Sequence, residues 1–209
     1  MDVGLRVALF SGGKDSVYAA LLEWPVDVFV TFVYEFPRPS PHLVNLHKVV
    51  ELANSMFVPM VVLRVHRGRE KEEEAKFLSS IGASRIIAGD QNVEDHLRYM
   101  EELAGMVGAE LREPIWGMDP WKVLEAELRE LSFVVIGAEE RARELMCSRV
   151  DGATYKEFLA SIERLGIDPI GEAGEYHSLV TKVGKLGVSL EVKCEGVEDY
   201  GGYRVARLR

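Results

Sequence analysis

Short apolar runs alternate with amphipathic stretches from Leu5 to Ile115. Leu5 to Phe10 is apolar apart from Arg6 and stops at Ser-Gly-Gly, as a buried strand does. Val17, Ala20 and Leu21 then fall at the i, i+3, i+4 spacing of a helix face. Valine and phenylalanine dominate Val26 to Val33, which predicts a second strand, and Pro37, Pro39 and Pro41 predict an irregular connection after it. The pattern continues with a helix over Asn45 to Met56, a strand over Met60 to Val65 and a charged helix over Arg69 to Ser79. A strand over Arg85 to Ala88, a helix over Glu94 to Val107 and a fifth strand over Ala109 to Ile115 complete it. Such alternation predicts an α/β fold, a parallel sheet sandwiched by helices and joined by right-handed crossovers. Ligands of these sheets bind beyond the C-terminal strand ends, where Ser11, His42 and Gly89 each follow a strand and are expected to converge.

From about Gly117 the character changes. A helix over Pro120 to Leu131 precedes a strand over Phe133 to Ile136, and a second helix is expected near Thr154 to Leu165. The stretch GEAGEYHS follows, then late strands at Val188 to Val192 and Arg204 to Leu208. This predicts a smaller C-terminal α+β unit, with domain boundaries at 1–116 and 117–209.

The chain has 209 residues, 47% of them hydrophobic, which is enough for a sizeable core. Its formal net charge of -9 supplies no global basic field and argues against a nucleic-acid partner. Cys147 and Cys194 match no CxxC spacing and read as reduced, incidental thiols. No stretch approaches the ~20 apolar residues of a membrane span, and MDVGLRVALF is too short and polar for a secretory leader. The expectation is a soluble, cytoplasmic protein without membrane contact.

The junction LFSGGKDSVYAALL, residues 9–22, places a polar, flexible loop between the first strand and the first helix. It lacks the G-x-x-x-x-G-K-[ST] pattern of a Walker A loop and is not G-x-G-x-x-G either. The same physics nevertheless applies. Gly12 and Gly13 let backbone N–H groups approach a ligand, and the helix beginning near Asp15 offers unpaired donors and a positive dipole end. Ser11 and Ser16 add hydroxyls, Lys14 adds charge, and Asp15 is placed to cap the helix or hold Mg²⁺. A capped turn would explain Gly-Gly alone, but not serines on both sides of Lys-Asp.

The string Ser-Gly-Gly-Lys-Asp-Ser resembles the PP-loop of the N-type ATP pyrophosphatases, which split ATP between the α and β phosphates. Together with Gly-Glu-Ala-Gly-Glu-Tyr-His-Ser at 171–178, it is similar to the diphthine–ammonia ligase (diphthamide synthetase) family. His42, Asn45 and His47, the Glu70 to Glu74 run, Gly89-Asp90, Pro114 to Gly117, Asp119, Arg149 with Asp151, and Gly201 to Tyr203 extend the resemblance over nearly the whole chain.

That resemblance implies adenylation of a carboxylate by ATP with release of pyrophosphate, then displacement of AMP by ammonia. The implied acceptor is diphthine on elongation factor two, and the implied cofactors are ATP and Mg²⁺. It implies an ATP site of Ser11, Gly12, Gly13, Lys14, Asp15, Ser16, His42, Gly89 and Asp90, with Asp15 and Asp90 on Mg²⁺. Lys14, Asp15 and Glu175 are the implied catalytic residues; Trp116, Glu172, Gly174, Glu175 and Tyr176 the implied substrate contacts. Two alternatives stay open: a PP-loop enzyme modifying another acceptor such as tRNA, and a nucleotide-binding protein without turnover. A homodimer also stays open. The family pattern breaks after Asp90, where His96 stands for Gln and Tyr99 for Arg while Glu101 is retained. Arg69 to Lys76 reads most simply as a solvated helix face, and no histidine spacing predicts zinc.

Overall fold

The computed structural model describes residues 4–35 and 37–209, so the first three residues of the N-terminal stretch lie outside the described residues. Among the described residues, β1 (Leu5–Leu9), β2 (Val28–Val33), β3 (Met60–Arg64), β4 (Ala83–Ile87) and β5 (Glu110–Arg112) form a parallel sheet in the order β3-β2-β1-β4-β5. The connecting helices are α1 (Lys14–Leu22), α2 (Pro41–Val44), α3 (Leu46–Ser55), α4 (Glu70–Ser80) and α5 (Glu94–Val107). Strand order reverses at β1, whose neighbours are β2 and β4. This is the switch point at which open α/β sheets open a crevice, and it puts the ends of β1 and β4 beside one another.

α6 (Pro120–Glu130), capped by Asp119 through its bond from the Lys122 N–H at 3.0 Å, leads into a second, antiparallel sheet. That sheet contains β6 (Leu131–Glu139), β7 (Arg149–Val150), β8 (Tyr176–Val183), β9 (Val188–Ser189), β10 (Cys194–Asp199) and β11 (Tyr203–Leu208). Its order is β10-β11-β6-β8-β9, with β7 on β6, and α7 (Tyr155–Leu165) covers one face. β8 and β10 escape the period-2 pattern. The consecutive buried positions Ser178 to Val183, interrupted only at Lys182, belong to a central strand walled on both faces.

One buried cluster runs through both sheets, from Phe10, Phe29 and Val49 to Phe133, Ile136 and Leu179. Polar contacts reinforce the seam. Pro41, expected in an irregular connection, opens α2 as its first residue, where a missing N–H costs nothing. Its ring lies against Gly137 of β6, where an added Cβ would come within 2.4 Å of Pro41 Cγ. Asn45, fully buried, donates to Pro41 O and Ala206 O at 2.8 Å each and accepts from the Leu208 N–H at 2.9 Å. His47 reaches Leu208 O at 3.1 Å. The His-x-x-Asn-x-His motif is therefore mainly a clasp between the two sheets.

The two cysteines correct the expectation of free thiols. Cys147 and Cys194 are disulfide-bonded across 47 residues of sequence, with Cα atoms 6.0 Å apart. Cys147 N–H bonds Val135 O of β6, and β11 brings the start of β10 alongside, so sheet pairing joins residues whose spacing matches no motif. The pair lies outside the cavity described next.

Candidate active site

Ser11 to Gly13 joins β1 to α1, and Gly12 takes φ +76°, the left-handed region that glycine favours. The loop is braced internally: Ser11 Oγ lies 3.1 Å from Ser16 Oγ and accepts from the Gly13 N–H at 3.2 Å, while Ser16 Oγ donates to Gly13 O at 3.0 Å. It is braced externally by β8. Gly12 O accepts from the Val180 N–H at 2.9 Å, and Ser178 Oγ accepts from the Lys14 N–H at 3.1 Å. The first amide of α1 is thus capped by a serine 164 residues downstream, not by Asp15.

A cavity of about 1090 Å³ opens at this edge, above the usual range for a single small ligand. Ser11, Gly13, Asp15 and Ser16 line it from the loop, His42 from α2, and Gly89 and Asp90 from the end of β4. Glu172, from the turn before β8, and Tyr176 and His177 of β8 complete the wall. The expected convergence of Ser11, His42 and Gly89 is thus realised. Gly89 is required there, since a Cβ would come within 2.8 Å of the Asp15 carbonyl. His42 and His177 meet edge to face at 5.7 Å between ring centroids. Burial, with His177 beside it, lowers His42 to about 3 despite its bond to the Ser11 backbone, and burial lowers His177 as well. Both rings are neutral at pH 7.

Carboxylates crowd the opposite wall. Burial pushes Asp90 up and Asp15 adds to this, while His96 Nδ1, 3.3 Å away, draws it back. Burial also raises Glu172; its Oε1 accepts from the Gln91 N–H at 3.1 Å and the Asn92 N–H at 3.4 Å, and Asp15 and Asp90 repel it. Behind them Glu113 is pushed up to about 7 by burial, Asp90, Glu101 and Glu172. Among the described residues no group of three or more side chains forms a metal cage. Mg²⁺ requires less: one or two carboxylates plus phosphate oxygens suffice. Asp15 and Asp90, both on the cavity and mutually repelling, fit that donor set.

Other sequence-assigned residues stand elsewhere. The Lys14 side chain is buried, and its ammonium contacts Asp15 Oδ1 at 2.6 Å, Ile170 O at 2.9 Å and Glu127 Oε2 at 3.4 Å. Burial would lower its pKa, but Asp15 and Glu127 outweigh that and hold it charged. Burial and Asp15 push Glu127 well above the carboxylate range, against the pull of Lys14. Glu175, 4% exposed, turns to Arg141 Nη2 at 2.9 Å instead of the cavity, because Gly171 and Gly174 at positive φ fold the turn back. Tyr176 lines the cavity with its ring while its hydroxyl donates to Pro169 O at 2.6 Å. Trp116 is half-buried in the turn after Glu113, and neither it nor Gly12 or Gly174 lines the cavity.

Three cavity features lie outside the sequence assignment. The solvated face expected over Arg69 to Lys76 is corrected: Glu74 is buried and accepts from Tyr99 Oη at 3.0 Å, with Tyr34 also bonded to it. Tyr34, Tyr99 and the first turn of α4 form the far wall. The signal was present, since Glu74 shares a helix face with Ala75 and Leu78, both buried. The divergent residues His96 and Tyr99 both line the cavity, Tyr99 donating to Glu74 where the resemblance has Arg. His177 and Ser178 sit one and two residues beyond Tyr176, on a strand that no alternation predicts.

A glycine loop at the switch point, backed by a helix N-terminus and facing two carboxylates, defines an α/β nucleotide-binding protein of the PP-loop class. Residues 4–111 match the family model of the diphthamide synthase N-terminal domain, and the chain belongs to that family of ATP-using enzymes. No curated protein matches the chain. Among solved structures, it is similar to a crystal structure described as a predicted subunit of tRNA methyltransferase from Methanocaldococcus jannaschii. That likeness has 14% identity and a TM-score of 0.43, and covers 86% of this chain and 97% of the other.

Among the described residues no helix is long and apolar enough to cross a membrane.

Proposed function

We propose that the chain is a diphthine–ammonia ligase, which activates the carboxylate of diphthine on elongation factor two with ATP and then makes it an amide. The observation that best supports this reading is the meeting of SGGKDS and GEAGEYHS on one cavity, with Ser178 of the second capping the helix of the first. A carboxylate oxygen of the acceptor attacks the α-phosphorus, and the bond from that phosphorus to the bridging oxygen breaks. Pyrophosphate departs with the electron pair. Ammonia then attacks the acyl carbon, AMP leaves, and the nitrogen loses a proton.

Each part of the site has a role in that sequence. Unpaired N–H groups in the first turn of α1, with the Ser11 and Ser16 hydroxyls, hold phosphate oxygens. Asp15 and Asp90 would hold Mg²⁺, which supplies charge neutralisation at the phosphates when bound. Neutral His42 and His177 offer polar contacts without adding charge. Glu172 and the Tyr176 ring face the side from which a trimethylammonium-bearing acceptor would enter, a cation suited to a carboxylate and an aromatic ring. The remaining contribution is proximity of two bound substrates, for which the cavity has room.

The test is incubation with ATP, Mg²⁺, ammonium and diphthine-bearing elongation factor two. AMP, pyrophosphate and amide should appear together, and only with every component present. ADP as product would refute the α–β cleavage.

A further inference from the structure

We infer that Glu127, on α6 of the second half, is a positioning residue for the nucleotide site: through Lys14 it fixes where Asp15 presents its carboxylate. The inference rests on the nucleotide reading of the cavity given above. The Lys14 ammonium donates to Asp15 and Ile170 and meets Glu127 at ion-contact distance, 3.4 Å. The side chain, 1% exposed, does not line the cavity. The lysine of the loop thus acts inward. It ties one oxygen of Asp15, whose side chain is 27% exposed and lines the cavity, to a point inside the protein.

What fixes that point comes from outside the loop. Ile170 precedes GEAGEYHS, and Glu127 projects from α6, which packs on α1. The Tyr176 ring, part of the cavity wall, lies 5.6 Å from Lys14 Nζ and closes the group. Glu127 is fully buried and meets Lys14 at ion-contact distance, so it has no solvent role of its own. Replacing its carboxyl group leaves Lys14 held only by Asp15 and one carbonyl. The ammonium then shifts toward those two, and the Asp15 carboxylate leaves the place it holds on the cavity wall. The second half thereby sets the geometry of a loop that belongs to the first, as the Ser178 cap does independently.

The experiment titrates α,β-methylene-ATP, which cannot be cleaved between the α and β phosphates, into wild type and variants by calorimetry, with Mg²⁺ and with EDTA. Wild type is expected to gain affinity when Mg²⁺ is present. Glu127→Gln should lose about tenfold of that gain, keep its affinity in EDTA within about twofold, and regain part of the loss as Glu127→Asp. The double variant Lys14→Met, Glu127→Leu replaces the ion pair by apolar side chains, a change that buried pairs tolerate. It should show the same selective loss, and it decides the matter if Glu127→Gln does not fold. A folded variant with the full Mg²⁺-dependent gain would overturn the inference, as would equal losses with and without Mg²⁺ or failure of both variants to fold. Wild type binding the analogue with no Mg²⁺ dependence would overturn it while sparing the nucleotide site. Wild type binding no analogue at all would overturn the nucleotide reading and the inference together.

Discussion

Replacing Lys14 by alanine tests whether the loop lysine belongs to the interior. In a solvent-facing phosphate loop the substitution would remove charge at the ligand and leave stability nearly unchanged, within about 0.5 kcal/mol. Here the side chain is fully buried, so three methylenes of packing are lost, about 0.8 kcal/mol each. Ile170 O loses its ammonium donor, and Glu127 and Asp15 are left without the ammonium that both contact. An orphaned buried polar group costs about 1–3 kcal/mol. Relief of the cost of burying an ammonium offsets part of this, and breaking a buried pair from one side costs about 3–5 kcal/mol net. At about 2–4 °C per kcal/mol for a chain of this size, Lys14→Ala should lower Tm by roughly 6–20 °C. Thermal unfolding followed by circular dichroism measures it. Lys14→Met, which restores the volume, should recover the packing part only. A Tm for Lys14→Ala within about 2 °C of wild type would refute the interior placement.

Three further outcomes are expected. Ser178→Ala removes the cap on α1 and should cost about 1 kcal/mol of stability while weakening binding of the ATP analogue, both measurable on the same protein by melting and calorimetry. His42 is lowered to about 3 from 6.5, so the native state binds fewer protons than the unfolded chain between those values. Its contribution to stability is present above pH 6.5 and lost as pH falls toward 3, and His42→Phe should flatten the urea-midpoint profile across that window. Cys147 and Cys194 should yield no free thiol when the protein is unfolded without reductant, and Cys194→Ser should lower stability by about 2–4 kcal/mol in a denaturant melt. Two titratable thiols would restore the reading of them as unpaired.

The parallel half was legible because each of its features is local. Apolar runs ending at Ser-Gly-Gly and Gly-Asp mark strands that stop at one edge, and the i, i+3, i+4 faces mark the helices between them. From this the convergence of Ser11, His42 and Gly89 follows, since parallel strands end on one side. The antiparallel half was less legible. β8 is central and walled on both faces, so no alternation announces it, and β10 is an exposed strand with charged residues. Side-chain direction was harder still. The SGGKDS string marks a loop of the PP-loop class, but not which of its side chains turn outward. Asp15 and Ser16 reach the cavity, while Lys14 between them and the strand turns into the seam. Glu175 likewise sits in the motif yet faces Arg141, because two glycines at positive φ set the turn.

By itself the amino-acid sequence determined the α/β alternation, the glycine loop at the end of the first strand and the family pattern linking that loop to residues 171–178. These depend on periodicity and on glycine's backbone freedom, which act within a few residues. Only the tertiary structure decided that Ser178 caps α1, that Glu127 and Ile170 anchor Lys14, that Glu74 is buried beneath Tyr99, and that Cys147 meets Cys194. Each joins residues of separate elements. A buried charge or donor takes whatever partner the packing of two sheets brings within reach, and no local spacing records that partner.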